Sequence, residues 1–132
     1  MVLKKSKRIL IKMNLKNKKI WITGATGMVG SSLLKLFIKK KYKVIYPNRK
    51  KFNLLNKEEV FKWVKNNKPK VVFMTAARVG GIYANNKYPA EFIYENILIQ
   101  NNIIEASRLY KVKKLIFIGS SCIYPKKSKQ PI

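Results

Sequence analysis

Apolar residues along this chain recur with two spacings, and the alternation between the two predicts its elements. Short apolar runs at 19–23, 43–46, 71–74 and 115–118 are rich in Ile and Val and bounded by turn residues. Runs of that kind are expected of strands covered on both faces of a parallel sheet. Between them the spacing becomes helical. A helix is predicted over 28–40, with Val29, Leu33, Leu36 and Phe37 on one face. A second starts at an Asn56 cap and runs through Asn67. Glu59 stands at its third position as in a capping box, and Val60, Phe61 and Val64 face inward. A third starts at Pro89 and continues to about Tyr110. Pro47-Asn48 ends the second strand, a short extended piece follows at 52–55, and Pro69 closes the second helical unit. Residues 75–88 and 119–124 read as loops, and 125–132 as a basic, frayed end.

Strands that alternate with helices imply an α/β fold with right-handed crossovers. The expected architecture is a Rossmann-like open parallel sheet in the order 3-2-1-4-5, the piece at 52–55 serving as strand 3. That is the first half of a doubly wound fold, truncated. Such sheets bind ligands beyond the carboxyl ends of their strands. The unusual residues of this chain fall there: 23–30, Arg49, 75–81 and 119–124.

The first of these loops carries the strongest signal. Ile20-Trp-Ile-Thr-Gly-Ala-Thr-Gly-Met-Val-Gly30 is an apolar run, then a turn with glycines at 24, 27 and 30, then a helix. In a dinucleotide site Gly24 turns the chain, Gly27 lets backbone approach the pyrophosphate, and Gly30 lets helix and strand pack closely. The phosphates then meet the free N–H groups and positive end of the helix. An NAD site also places an acid about 20 residues on. Here that region reads Tyr46-Pro-Asn-Arg-Lys-Lys51. Arg49 can fork onto a 2′-phosphate, which points to NADP, although a basic turn is ordinary in so lysine-rich a chain.

Charge changes the picture less than its size suggests. A net +25 invites a nucleic-acid partner. However, 26 lysines accompany 16 Ile and 12 Asn, all with A/T-rich codons, and only four basic residues are Arg. Base composition of the gene accounts for that pattern. The lysines are spread along the whole chain, so no specific nucleic-acid binding is expected, only weak attraction to polyanions at low salt. With 132 residues and 47 % hydrophobic content, the chain is one domain with a real core. No run approaches the roughly 18–20 apolar residues of a membrane span. One cysteine, Cys122, excludes an internal disulfide, and the absence of His leaves no metal set. A cytoplasmic setting is expected. Residues 1–18 read as a disordered basic extension, with Met1 or Met13 as the start, and 19–132 as the NADP-binding domain, incomplete at its C-terminus.

Other residues carry two readings each. Ser120 and Ser121 can bond a substrate carbonyl or satisfy their own turn. Cys122 can act as an acid/base or sit as a small buried hydrophobe. Ala76-Ala-Arg-Val-Gly-Gly81 permits close approach to a ligand or is a tight loop. Asn96 binds backbone or water, or is solvated. Trp21 and Trp63 read as core.

Together, the glycine turn, Asn53-Leu-Leu55, Ala76-Ala-Arg-Val-Gly-Gly-Ile82, Ala84-Asn-Asn86, Tyr88-Pro-Ala-Glu-Phe-Ile93 and Gly119-Ser-Ser-Cys-Ile-Tyr-Pro125 resemble the N-terminal part of the GDP-L-fucose synthases. These are NADPH-dependent 3,5-epimerase/4-reductases of GDP-4-keto-6-deoxymannose, in the extended short-chain dehydrogenase/reductase family. The resemblance implies that Gly24, Ala25, Thr26, Gly27, Met28, Val29 and Gly30 hold the pyrophosphate and Arg49 the 2′-phosphate. It places Asn53 and Leu54 near the adenosine, includes Ala76 and Ala77 in the cofactor site, and sets Ile118, Gly119, Ser120 and Ser121 along the nicotinamide side. It assigns Ser120 to polarising the sugar ketone and Cys122 to moving protons next to that ketone. A homodimer is implied for the full-length enzyme. Two departures stand out. Thr26 replaces a residue that is often basic in the family. The family's Tyr-x-x-x-Lys does not follow the Ser-Ser-Cys loop, and its histidine is missing. The expectation is therefore a cofactor-binding fragment without turnover. A non-catalytic NADP-binding module and a basic nucleic-acid-associated protein are the alternatives.

Overall fold

The computed structural model describes residues 15–120, 123–125 and 127–128. Residues 1–14 of the expected basic extension lie outside them, as do Ser121 and Cys122. In its described part Leu15 is buried in the core, and Lys18 N donates to Leu15 O at 3.2 Å. Among the described residues, four strands form one parallel sheet: β1 (Ile20–Thr23), β2 (Val44–Ile45), β3 (Val71–Met74) and β4 (Lys114–Phe117). Their order is β2-β1-β3-β4. Ile20 pairs with both Val44 and Val71, and Val71 in turn with Lys114. The helices are α1 (Met28–Lys39), α2 (Lys57–Asn67), α3 (Ile82–Lys87) and α4 (Pro89–Leu109).

The α/β, Rossmann-like reading holds, and the order is the expected one less its outer strand. Residues 52–55 make no strand because their polar groups close on themselves. Asn53 Oδ1 accepts from Leu55 N at 3.0 Å, and Asn53 O accepts from Asn56 N at 3.1 Å. Asn53 N donates to Glu59 at 2.9 Å. The adjoining residues Arg49–Lys51 form a 3-10 turn. The expected loop 75–88 contains α3, a six-residue helix with no buried residue, so it leaves no apolar periodicity to read.

Alternation along β1 and β3 divides the core into two layers. Trp21, Val72 and Met74 pack with Val60 and Val64 of α2 and with Ile99, Ile103 and Ala106 of α4. Ile20, Ile22, Val71 and Phe73 face the other way, onto Phe37 of α1. Trp21 lies 4.7 Å from half-buried Trp63, and Phe37 meets Phe73 edge-on at 5.1 Å. The two faces are unequally covered. Of the four α1 residues expected to face inward, only Phe37 is buried. Leu33 is half-buried, while Val29 and Leu36 are exposed. On that side α1 packs alone among the described residues, so one narrow stripe suffices. At the edge strand Phe117 is 49 % exposed, and Ile118 just beyond it is 44 % exposed.

Of the capping box expected at the start of α2, the Asn56 cap forms, but the return bond differs, because Asn56 N donates to Asn53 O and Glu59 meets the Asn56 side chain instead. Asn56 Oδ1 accepts from Glu59 N at 3.2 Å, and Asn56 Nδ2 donates to Glu59 Oε1 at 3.3 Å. The other Glu59 oxygen takes the Asn53 N–H. One carboxylate thereby ties the helix start to the turn before it. No helix among the described residues is long and apolar enough to cross a membrane.

Candidate functional site

Three segments converge where β1 ends. Gly24 turns the chain with φ +67, and Gly27 N donates back to Gly24 O at 2.9 Å. A Cβ on Gly24 would lie 2.9 Å from the Ala76 Cα, and one on Gly30 would lie 2.1 Å from the Gly24 carbonyl oxygen. Only glycine lets loop, helix and the β3 end come this close. Helix α1 starts from Gly27 with no side-chain cap and no acid in its first turn. Its leading N–H groups and positive end are therefore available to an anion.

Side chains fix the walls around this point. Buried Thr23 accepts from Thr75 N at 3.1 Å and Ala76 N at 3.2 Å through Oγ1. Thr75 Oγ1 donates to the Thr23 carbonyl. The ends of β1 and β3 are thus stitched together, and their loops diverge from a fixed origin. Helix α4 anchors the loop after β3 and the turn before α2 with asparagines. Asn96 Oδ1 accepts from Arg78 N at 2.8 Å, and its Nδ2 donates to Arg78 O at 3.0 Å and Phe92 O at 2.8 Å. Asn102, buried, donates to Leu54 O at 2.9 Å and Leu55 O at 3.1 Å. Of the two readings of Asn96, backbone binding is the one realised.

The space enclosed is a cavity of about 520 Å³, within the range of small-molecule sites. Gly24 through Gly30, Arg49, Asn53, Leu54, Ala76 and Ala77 all line it. A more open hollow continues over Thr26 and Tyr46 through Lys50. Thr75, Arg78 and Val79 also line the cavity, within the 75–81 segment that the sequence placed at this rim, whereas Tyr46, Phe52 and Glu95 line it without having been given a site role. Glu95 gave no local signal, because its place depends on how α4 packs. Ile118, Gly119 and Ser120 stand on the same rim one strand over and do not line the cavity. Ile118 N is bonded to Met74 O at 3.1 Å, so the chain tracks β3 that far. Ser121 and Cys122 fall outside the described residues. Tyr83 and Lys87 repeat a Tyr-x-x-x-Lys spacing on α3, but both are exposed and neither lines the cavity.

The residues fit a pyrophosphate-bearing dinucleotide: a cradle that a Cβ would fill, an uncapped helix start, and a forked cation at the mouth. Residues 20–132 match the NAD dependent epimerase/dehydratase family. The chain is 48 % identical over 118 residues to a GDP-L-fucose synthase of Sinorhizobium fredii, covering 89 % of this chain and 38 % of that protein. It is 42 % identical over 116 residues to the GDP-L-fucose synthase of Escherichia coli, covering 87 % and 36 %. Among solved structures, the GDP-mannoheptose C4 reductase MlghC of Campylobacter jejuni, with NADP bound, superposes with a TM-score of 0.81 at 41 % identity, covering 88 % and 37 %. The chain therefore spans less than two-fifths of the length of each.

Proposed function

The chain belongs to the NAD dependent epimerase/dehydratase family, and on that premise we propose that it forms the NADP-binding part of a GDP-sugar epimerase/reductase of the GDP-L-fucose synthase kind. The carrying observation is the convergence of Gly24, Gly30 and Ala76 on an uncapped helix start inside one cavity. The N–H groups at the start of α1 hold the pyrophosphate. Arg49 takes the 2′-phosphate from the mouth, where no acid stands to prefer a bare ribose. Asn53 and Leu54, fixed by Asn102, form the adenosine wall, and Ala76 and Ala77 keep the opposite wall low enough for close approach. When bound, the nicotinamide supplies hydride to a ketone.

The substrate assigned is GDP-4-keto-6-deoxymannose, on the strength of the GDP-L-fucose synthase relatives. Ser120 donates a hydrogen bond to the sugar ketone oxygen. The Cys122 thiol takes and returns protons on the carbons beside that ketone, which the carbonyl acidifies. Ile118, Gly119 and Ser121 border the nicotinamide. The 132 residues hold no His and no Tyr-x-x-x-Lys beyond Ser120, so this stretch by itself binds without turning over. A lone cysteine and a reduced nucleotide suit a cytoplasmic setting.

Titration with NADPH and NADH tests the reading. NADPH should bind about tenfold more tightly, and Arg49→Ala should weaken NADPH by about tenfold while leaving NADH nearly unchanged. Equal losses for both would remove Arg49 from the phosphate site. No saturable binding of either would refute the cofactor assignment.

A further inference from the structure

A cavity suited to polyphosphate carries a carboxylate in its wall. Glu95 is the one acidic residue among those lining it, in a chain with five acids and 30 basic residues. Alone, it would repel an incoming anion, because charges separated by a few ångströms in a partly dry site interact well above thermal energy. Arg78 meets it. The arginine reaches from the loop after β3 and forms an ion pair with Glu95 of α4, their side chains 32 % and 30 % exposed. The same guanidinium lies 4.8 Å from the centre of the Phe92 ring. Beneath it, Asn96 holds both the N–H and the carbonyl of Arg78. One turn of α4 thus grips residue 78 by its two backbone groups and by its side chain.

We infer that Arg78 and Glu95 are positioning residues, a charge-cancelling clamp that fixes the 75–79 wall and masks the carboxylate from a bound polyanion. The arginine's charge is taken up by Glu95 and is not offered to phosphate. This rests on the NADP reading of the cavity. Glu95 gives the guanidinium one orientation, Asn96 gives the backbone one, and the two together make the loop rigid.

The test is a double-mutant cycle on the whole chain, read by NADPH titration across salt and by amide exchange at 76–80. Arg78→Met leaves Glu95 bare and should weaken NADPH about tenfold. Glu95→Gln frees the Arg78 charge and should tighten NADPH about threefold at low salt, with a steeper salt dependence. The double variant should recover to within about threefold of the unmodified chain. A double variant as weak as Arg78→Met would overturn the inference, because Arg78 would then be touching the ligand itself. An Arg78→Met variant with undiminished affinity would overturn it too. Should the unmodified chain fail to bind NADPH, the cofactor reading falls, and exchange decides the clamp. Faster exchange at 76–80 in Arg78→Met supports it, and unchanged exchange rejects it.

Discussion

The two rims of the sheet meet the same backbone demand with different residues. At the carboxyl rim the chain leaves β1 through a left-handed residue, Gly24, with φ +67. At the opposite rim the chain leaves α1, α2 and α4 to re-enter the sheet, and the left-handed residues are Lys41, Lys68 and Lys111, with φ of 57, 50 and 54. A side chain in that conformation costs about 1–2 kcal/mol, yet lysine occupies it three times. What differs is room. The three lysines are exposed, whereas a Cβ at Gly24 would meet the Ala76 backbone at 2.9 Å. Dihedral preference alone did not keep glycine at the second rim, so its presence at the first reports crowding. Crowding of backbone around a cavity is what a phosphate cradle needs.

The largest expected effect breaks that crowding. Gly30→Ala puts a Cβ 2.1 Å from the Gly24 carbonyl oxygen, where no side chain can yield. It should destabilise the fold by about 3 kcal/mol in urea unfolding and abolish measurable NADPH binding. A loss under about 1 kcal/mol with binding intact would mean the convergence is loose. Next, Asn102→Ala strands the Leu54 and Leu55 carbonyls that its amide holds. It should cost about 1–2 kcal/mol and speed amide exchange across 53–55. Unchanged exchange there would show that the wall stands without its anchor.

At the other rim the sign reverses. Lys68→Gly relieves the left-handed strain at the α2 cap and should stabilise by about 0.5 kcal/mol after the entropy glycine adds to the unfolded chain. That is a rise in Tm of about 2 °C, with NADPH affinity untouched. A fall in Tm would put the two rims under the same rule. The smallest effect concerns a surface pair in the last turn of α4, beside the Lys111 rim, where Lys111 N donates to Arg108 O at 3.2 Å. Glu105 takes two bonds from Arg108 at 2.7 and 2.6 Å. The hydrogen bonds from Arg108 hold its carboxyl below the ordinary 4.5, in spite of slight desolvation. A depressed carboxylate stabilises above its unfolded-state value, and the gain is lost as pH falls through the folded one. Arg108→Gln should therefore lower Tm slightly at pH 7, with the gap closing as pH drops well below 4.5. A gap that persists in acid would point to packing instead of charge.

The sequence disclosed the fold where hydrophobic runs were strong. Val71–Met74 and the Pro89 helix start were read almost to the residue, because a buried strand and an N1 proline leave unambiguous marks. The short piece at 52–55 misled, since a polar Asn53 turn closed by its own side chain looks extended in an apolar pattern. The site was half legible. Glycines and Arg49 carry their chemistry locally. Arg78 and Glu95 are 17 residues apart, and only the packing of α4 against the β3 loop joins them. Trp63 read as core, yet it sits at the margin of the layer that Trp21 fills, a distinction of position that composition cannot encode.

The central claim is that the carboxyl rim alone holds the dinucleotide. Amide NMR of the labelled chain titrated with NADP addresses it directly. Saturable shifts should appear at 24–30, 49, 53–54 and 76–77, while Lys41, Lys68 and Lys111 stay still. Shifts gathered at the lysine rim, or smeared over the surface and erased by salt, would contradict it.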